Sequence, residues 1–244
     1  MTGAVSITCM IQIPIRYQAA GALSPLQAGI RLIPFSVSSP IGVIVAAALS
    51  RKRFVPPLYL AFVGEILQII GLVFLSRSPL DNLGWGGLYG LEVLIGLGMG
   101  FCIGTATLMT PFIVEKRDLG MLYTYCGPKN IDERYTINCY FVAIGTGAVV
   151  QFRFLGSTVV LSIITAVGNN WVKQILSAYL TGTELLMIFR STETITTLPS
   201  SVEPTVRRTF AGSFNLQMEI VLGFAVVAVF TSFMMWQKPQ VRVP

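Results

Sequence analysis

Five stretches of this chain are apolar for long enough to cross a lipid bilayer, and no other feature narrows its fold as far. A helix rising 1.5 Å per residue needs about 20 mostly apolar residues to span the hydrocarbon core. The runs Leu32–Leu49, Leu58–Leu75, Leu88–Val114, Val142–Trp171 and Leu216–Trp236 meet that requirement. A sixth, Met1–Ile15, is about fifteen residues long and is broken near its end by Pro14, which leaves it too short to span. It lacks the basic start and the small-residue cleavage site of a signal peptide, and reads as a spanning helix without its first half. The expected fold is therefore all-α, a polytopic transmembrane helix bundle of five complete spans plus one truncated.

Composition excludes most other classes. Only 11% of the 244 residues are charged and 53% are hydrophobic, against roughly 25% charged in a soluble domain. The formal charge of +6 sits in short clusters between the apolar runs. It makes no continuous basic stripe, so no nucleic-acid partner is expected. Histidine is absent, which removes Ser-His-Asp and Cys-His nucleophile systems and every His-ligated metal or haem site. Cys9, Cys102, Cys126 and Cys139 form no C-x-x-C pair, so neither a metal site nor a disulfide framework is indicated. Without a Gly-rich Walker loop the chain does not hydrolyse nucleotides for itself. An integral-membrane enzyme needs Asp, Glu or Cys clustered at one depth, and the sequence has no such cluster. Neither catalysis nor a cofactor is expected.

Orientation follows from the basic residues that flank the runs. Counting alternate loops from Arg51-Lys52-Arg53 as cytoplasmic collects those three with Lys116, Arg117, Lys129, Arg134, Lys238 and Arg242. The other side collects Arg16, Arg31, Arg77, Lys173, Arg190, Arg207 and Arg208. Charges in the long stretch Lys173–Asn215 weigh little because long segments translocate regardless of charge. A cytoplasmic C-terminus is expected, with the N-terminus on the same side. Within the long outer stretch, Thr183–Phe189 reads as a short amphipathic helix capped by Thr181 or Thr183, ahead of a Thr/Ser-rich segment over Ser191–Ser201 broken by Pro199.

Gly96, Gly100 and Gly104 fall on one face of a helix, where missing Cβ atoms let a neighbour approach closely. The run Leu32–Leu49 offers Pro40 and the pair Gly42/Ala46, with Pro34 near its start. Ionisable groups inside apolar runs are costly and by default point to function in the bundle interior. Glu65 with Gln68 one turn later, and Arg153 following Gln151, are the candidates for a substrate or ion pathway. Glu65 facing a water-filled cavity would take up and release a proton; the alternative is a structural contact with a neighbouring helix. Arg153 is either a substrate contact or a fixed internal charge. Phe101, Phe112, Phe152, Phe154 and Phe214 are candidates for a greasy cavity wall, although aromatic side chains at such positions mostly pack in cores or face lipid. Trp85, Trp171 and Trp236 near run ends read as interface anchors.

Several strings carry a resemblance: Ser24-Pro-Leu-Gln-Ala-Gly-Ile-Arg-Leu-Ile-Pro-Phe35, Val55-Pro-Pro-Leu-Tyr59, Met109-Thr-Pro-Phe-Ile-Val-Glu-Lys-Arg-Asp118, Gly147-Ala-Val-Val-Gln-Phe-Arg153 and Asn215-Leu-Gln-Met218. Together they resemble the C-terminal part of fungal major facilitator superfamily (MFS) transporters, nearest to the 14-span drug:proton antiporter branch. The resemblance implies the C-terminal half of a major facilitator fold and proton-coupled efflux of small hydrophobic drugs, toxins or secondary metabolites. It implies as partners the lipid bilayer, a hydrophobic substrate, protons and the missing N-terminal half of the transporter, and as location the plasma membrane. A truncated, transport-inactive membrane fragment is the alternative. The likeness breaks off after Leu119 and resumes at Val142, so the chain divides into 1–119, an insert at 120–141 in a cytoplasmic loop, and 142–244. The insert's 22 codons suit translated intron sequence, a genuine loop insertion being the alternative. Glu65 also departs from the resemblance, which implies a small residue there.

Overall fold

The computed structural model describes residues 2–52, 55–80, 87–113, 131–190 and 202–234, with the single positions 195, 199 and 236. Its elements are α1 (Thr2–Ala19), α2 (Pro25–Arg31), α3 (Ile33–Lys52), α4 (Pro57–Ser76), α5 (Gly87–Ile113), α6 (Ile131–Leu176), α7 (Gly182–Arg190) and α8 (Glu203–Met234). No strand occurs among the described residues. Five helical segments are long and apolar enough to cross a membrane: Pro25–Arg51, Pro57–Ser76, Gly87–Met109, Gly145–Leu176 and Glu203–Met234. Each contains most of one of the five apolar runs.

Local sequence accounts for the first breaks. Ala22 takes φ 53° in the turn after α1, and Ser24 then opens α2 with a reciprocal capping box. Its Oγ accepts from the Gln27 N–H at 3.3 Å and Gln27 Oε1 accepts from the Ser24 N–H at 3.3 Å, with Pro25 pre-set at the first helical position. Pro34 has no N–H to offer the preceding turn. The helix accordingly breaks at Leu32, whose N–H turns back to Gly29 O at 3.1 Å.

Three boundaries differ from the sequence expectation. α1 does not stop at Pro14 but continues through it to Ala19. In apolar surroundings neighbouring helices and polar side chains compensate a lost helical hydrogen bond, and Arg16 and Tyr17 beyond the proline are buried at 3% and 2% exposure. At the other end, α8 starts at Glu203, well ahead of Leu216. There Glu203 Oε1 accepts from Arg207 Nε at 2.8 Å and Nη2 at 2.6 Å, so the charges sustain a helix instead of ending it. With α6 reaching Leu176, the stretch Lys173–Asn215 is helical at both ends. Lastly, residues 131–141 of the expected loop insert lie in α6.

Lys116, Arg117, Lys129, Lys238, Arg242, Arg53, Trp85, Cys126 and residues 120–130 of the insert lie outside the described residues, as do the side chains of Lys52, Phe112, Arg134 and Cys139. The short amphipathic helix is present as α7. Thr181 caps it, its N–H and Oγ both donating to Glu184 Oε2 at 2.9 and 2.7 Å. Ile188 turns inward onto Leu176 and Val206, while Leu186 and Met187 point outward.

α5 lies between α3 and α4; α4 packs on α8, and α8 on α1 and α6. The largest core cluster joins Val5, Cys9 and Ile13 of α1 to Leu72, Ile95, Ile164 and Met218. Outward faces are apolar, as at Val37 and Ile44 of α3, Leu155 and Val159 of α6 and Phe230 of α8. Polar side chains, among them Gln12, Arg16, Glu65, Gln68 and Glu92, are buried. Apolar outside and polar within is the distribution a hydrocarbon surround favours.

Candidate functional site

Glu65 and Gln68 occupy one face of α4, three residues apart, and both are buried. Ser232 of α8 donates to Glu65 Oε1 at 2.5 Å, while Glu65 Oε2 has no partner. Gln68 Nε2 donates to Cys102 Sγ of α5 at 3.3 Å. Cys102 and Arg153 of α6 line one cavity, and a Cβ on Gly64, next to Glu65 in α4, would lie 2.9 Å from Cys102 Sγ. Three helices thus bring Glu65, Gln68 and Arg153 around one buried thiol. Gln151 is not part of this group. Two positions before Arg153, it is turned roughly 200° around α6 and is exposed.

Beside this group lie two cavities. One of about 510 Å³ is walled by α5 and α6, with Cys102, Ile103, Thr107, Val149, Phe152 and Arg153 among its lining. The other, about 300 Å³, opens between α1, α5 and α6 and is lined by residues including Ser6, Met10, Met99, Val150, Arg153 and Phe154. Both volumes are in the range of small-molecule sites, roughly 300–1,000 Å³. Arg153 belongs to both and reaches Ser6 Oγ with Nη2 at 3.5 Å. Phe152 and Phe154 therefore line cavity space, whereas Phe101 is packed with Leu60 and Ala46, and Phe214 sits in the main core. Trp171 packs over Gly212 of α8; Trp236 meets the Tyr59 ring edge-on at 5.5 Å.

The glycine face of α5 lies against α3. A Cβ on Gly96 would strike Ser38 and come within 2.7 Å of Phe35 O; one on Gly104 would meet Ala46 Cβ at 3.2 Å. At Gly100 it would run into Ser39 O, with Gly42 Cα at 2.8 Å. A Cβ on Gly98 would likewise lie 2.6 Å from Gly64 O of α4. Backbones in such contact form a smooth seam with few interlocking side chains, a geometry suited to tight packing and to sliding.

A second buried polar group went unread in the sequence. Glu92 of α5, 1% exposed, accepts from Tyr17 OH at 2.9 Å through Oε1, and its Oε2 has no partner. Arg31 stacks over the Tyr17 ring at 5.4 Å. Next to it, Arg16 donates to Ser78 Oγ, to Pro79 O at 3.0 Å and to Asn215 Oδ1 at 3.3 Å, and its guanidinium lies 4.7 Å from the Phe214 ring centroid. The signal for Glu92 was available: it interrupts an apolar run as Glu65 does. Arg16 looked like a flanking charge because α1 was read as ending before it. Among the described residues no three of Cys, Asp and Glu converge as metal ligands.

No family model matches the chain. It is 28% identical over 243 residues, its full length, to an MFS-type transporter of Fusarium mangiferae, and 26% identical over 242 residues to an MFS-type transporter of Metarhizium majus. It is also 28% identical over 120 residues, 49% of its length, to an efflux pump of Ustilaginoidea virens. The aligned regions take up 37%, 38% and 22% of these relatives, so the chain spans well under half the length of the curated proteins it matches. The chain is similar to part of MFS-type transporters, and its helices are those of a multi-pass membrane protein.

Proposed function

We propose that this chain, similar along its length to part of MFS-type transporters, forms one helix bundle of such a transporter and exports small hydrophobic or amphipathic compounds by alternating access. The observation that carries this reading is the cavity of about 510 Å³ between α5 and α6, with Arg153 and Cys102 in its wall and the buried Glu65 and Gln68 beside it. Apolar walls supply contact area to a greasy substrate, and a few polar groups orient it. Alternating access rocks two bundles around a central site, so a second bundle completes the cavity. Glu65, with one carboxylate oxygen unpartnered, is the candidate proton carrier, and the α3–α5 glycine seam is the interface able to shift. Export across the plasma membrane, driven by protons and with a cytoplasmic C-terminus, completes the proposal.

Expression in an efflux-deficient host tests it. The expected outcome is a chain that resists carbonate extraction and yields to detergent, since insertion needs only the apolar runs and the short-loop basic bias. Alone it should not export a panel of hydrophobic drugs; energy-dependent export should appear when it is fused behind the N-terminal bundle of a similar transporter. Recovery in the soluble fraction, or a well-expressed, inserted fusion that exports nothing, overturns the reading. Robust export by the chain alone, abolished by collapsing the proton gradient, overturns the need for a second bundle.

A further inference from the structure

The two cavities that meet at α6 are walled by apolar side chains, and among the described residues Arg153 is the charged residue in their lining. Its guanidinium offers five N–H donors. One of them reaches Ser6 Oγ at the long limit of 3.5 Å, and among the described residues no carboxylate lies within ion-pair distance, the ion pair found there being Arg207 with Glu203. Glu65 Oε1 is engaged instead by Ser232. A cation at membrane depth without a counter-ion is costly, and a planar fork of donors matches a carboxylate bidentately.

We propose that the Arg153 cavities bind amphiphiles that carry a single carboxylate on a compact apolar body. The proposal rests on the transporter reading of the same site and names its substrate class. The carboxylate lies on the Arg153 guanidinium, and the apolar body fills the space between Met10 and Met99 on one side and Phe152 and Val149 on the other. A phosphate head is a poorer fit. Its second negative charge would have no partner among the described lining residues and would have to be desolvated at membrane depth.

Equilibrium binding to the purified full chain in phosphatidylcholine nanodiscs decides the matter without requiring transport. The probe is radiolabelled 1-naphthaleneacetate, with 2-(1-naphthyl)ethanol and 2-(1-naphthyl)ethylamine as neutral and cationic analogues of the same body. Saturable binding of the acid is expected, at least about tenfold tighter than of either analogue, because the analogues give the half-buried Arg153 guanidinium no carboxylate to pair with. R153Q should remove that preference while binding of the alcohol changes little, and R153K should retain part of it. I103W, which keeps the charge and fills the space shared by both cavities, should weaken acid and alcohol alike. Equal affinity for acid and alcohol, an unchanged preference in R153Q chains that still elute as wild type, or no saturable binding at all would each overturn the proposal. Displacement of the acid by phosphatidylglycerol in the bilayer would assign Arg153 to a lipid headgroup and overturn it too. A transporter that exports neutral compounds yet shows no acid preference leaves the transport reading standing and removes this one.

Discussion

Gly42 of α3 and Gly100 of α5 face each other so closely that a Cβ on Gly100 would lie 2.8 Å from Gly42 Cα, and one on Gly42 would lie 3.0 Å from Gly100 Cα. Ordinary helix pairs keep their axes about 8–10 Å apart because side chains intervene. Here the two backbones are themselves the packing surface, and Gly96 and Gly104 continue it a turn to either side.

Replacing Gly100 by Leu should therefore cost far more than replacing Phe101 by Leu. A leucine at Gly100 has no open space to enter and must part α3 from α5, for about 3 kcal/mol or more, whereas a smaller apolar side chain at buried Phe101 leaves a partial cavity without displacing a backbone and costs less. Thermal unfolding of the detergent-solubilised variants, followed by circular dichroism, measures the difference. Equal losses would mean that the seam does not hold α3 to α5.

The Tyr17–Glu92 hydrogen bond supplies the next prediction. Tyr17→Phe leaves Glu92 Oε1 buried without its donor and should destabilise the bundle by about 1–3 kcal/mol. Glu92→Met alone should also be costly, yet the double variant should be less destabilised than the sum, with a coupling of about 0.5–3 kcal/mol. Strict additivity in that cycle would show the 2.9 Å contact to be energetically silent.

The five spans were legible because their apolar runs are long and nearly free of charge, and the Gly96/Gly100/Gly104 face was legible because small residues four apart need no partner to be recognised. What escaped was context. Pro14 looked like a helix end, since nothing in the sequence reveals that α1 is enclosed by α6 and α8; the Arg16 contacts to Ser78 and Asn215 stretch across 62 and 199 positions of chain. Glu203 and Arg207 looked like loop charges, although their spacing of four is the helical pairing distance. Gln151 and Arg153 were both candidates for the pathway, but two positions apart on a helix they point roughly 200° from each other. Gly64 opposite Gly98 was missed because a lone glycine forms no pattern until its partner helix is in place.

A pH effect is expected at α7. Thr181 donates both its hydroxyl and its backbone N–H to Glu184, and these bonds hold the carboxyl below the usual glutamate range. A carboxyl with a depressed folded pKa contributes stability that is present above its unfolded pKa and lost as pH falls through the folded value. Amide exchange in Gly182–Arg190 should thus be slower at neutral pH than in acid near the carboxylate range, once corrected for intrinsic exchange rates. Glu184→Gln should flatten that dependence; an unchanged profile in the variant would mean that the cap does not hold the helix.

The insert at 120–141 should be dispensable. Removing it joins Leu119 to Val142 and leaves untouched the apolar run that starts at Val142. What is lost of α6 is its start, where Asp132, Glu133 and Arg134 follow one another in the sequence ahead of the apolar run. Helix–helix connections in bundles are usually short, about two to eight residues, so a shorter link between α5 and the span is no obstacle to the same arrangement. A chain lacking 120–141 should insert as the full chain does and match its thermal stability in detergent. Sequencing the mature transcript tests the origin of the segment independently: a processed message without the 22 codons is the expected result, and one that retains all of them would refute the intron reading even if the deletion is tolerated.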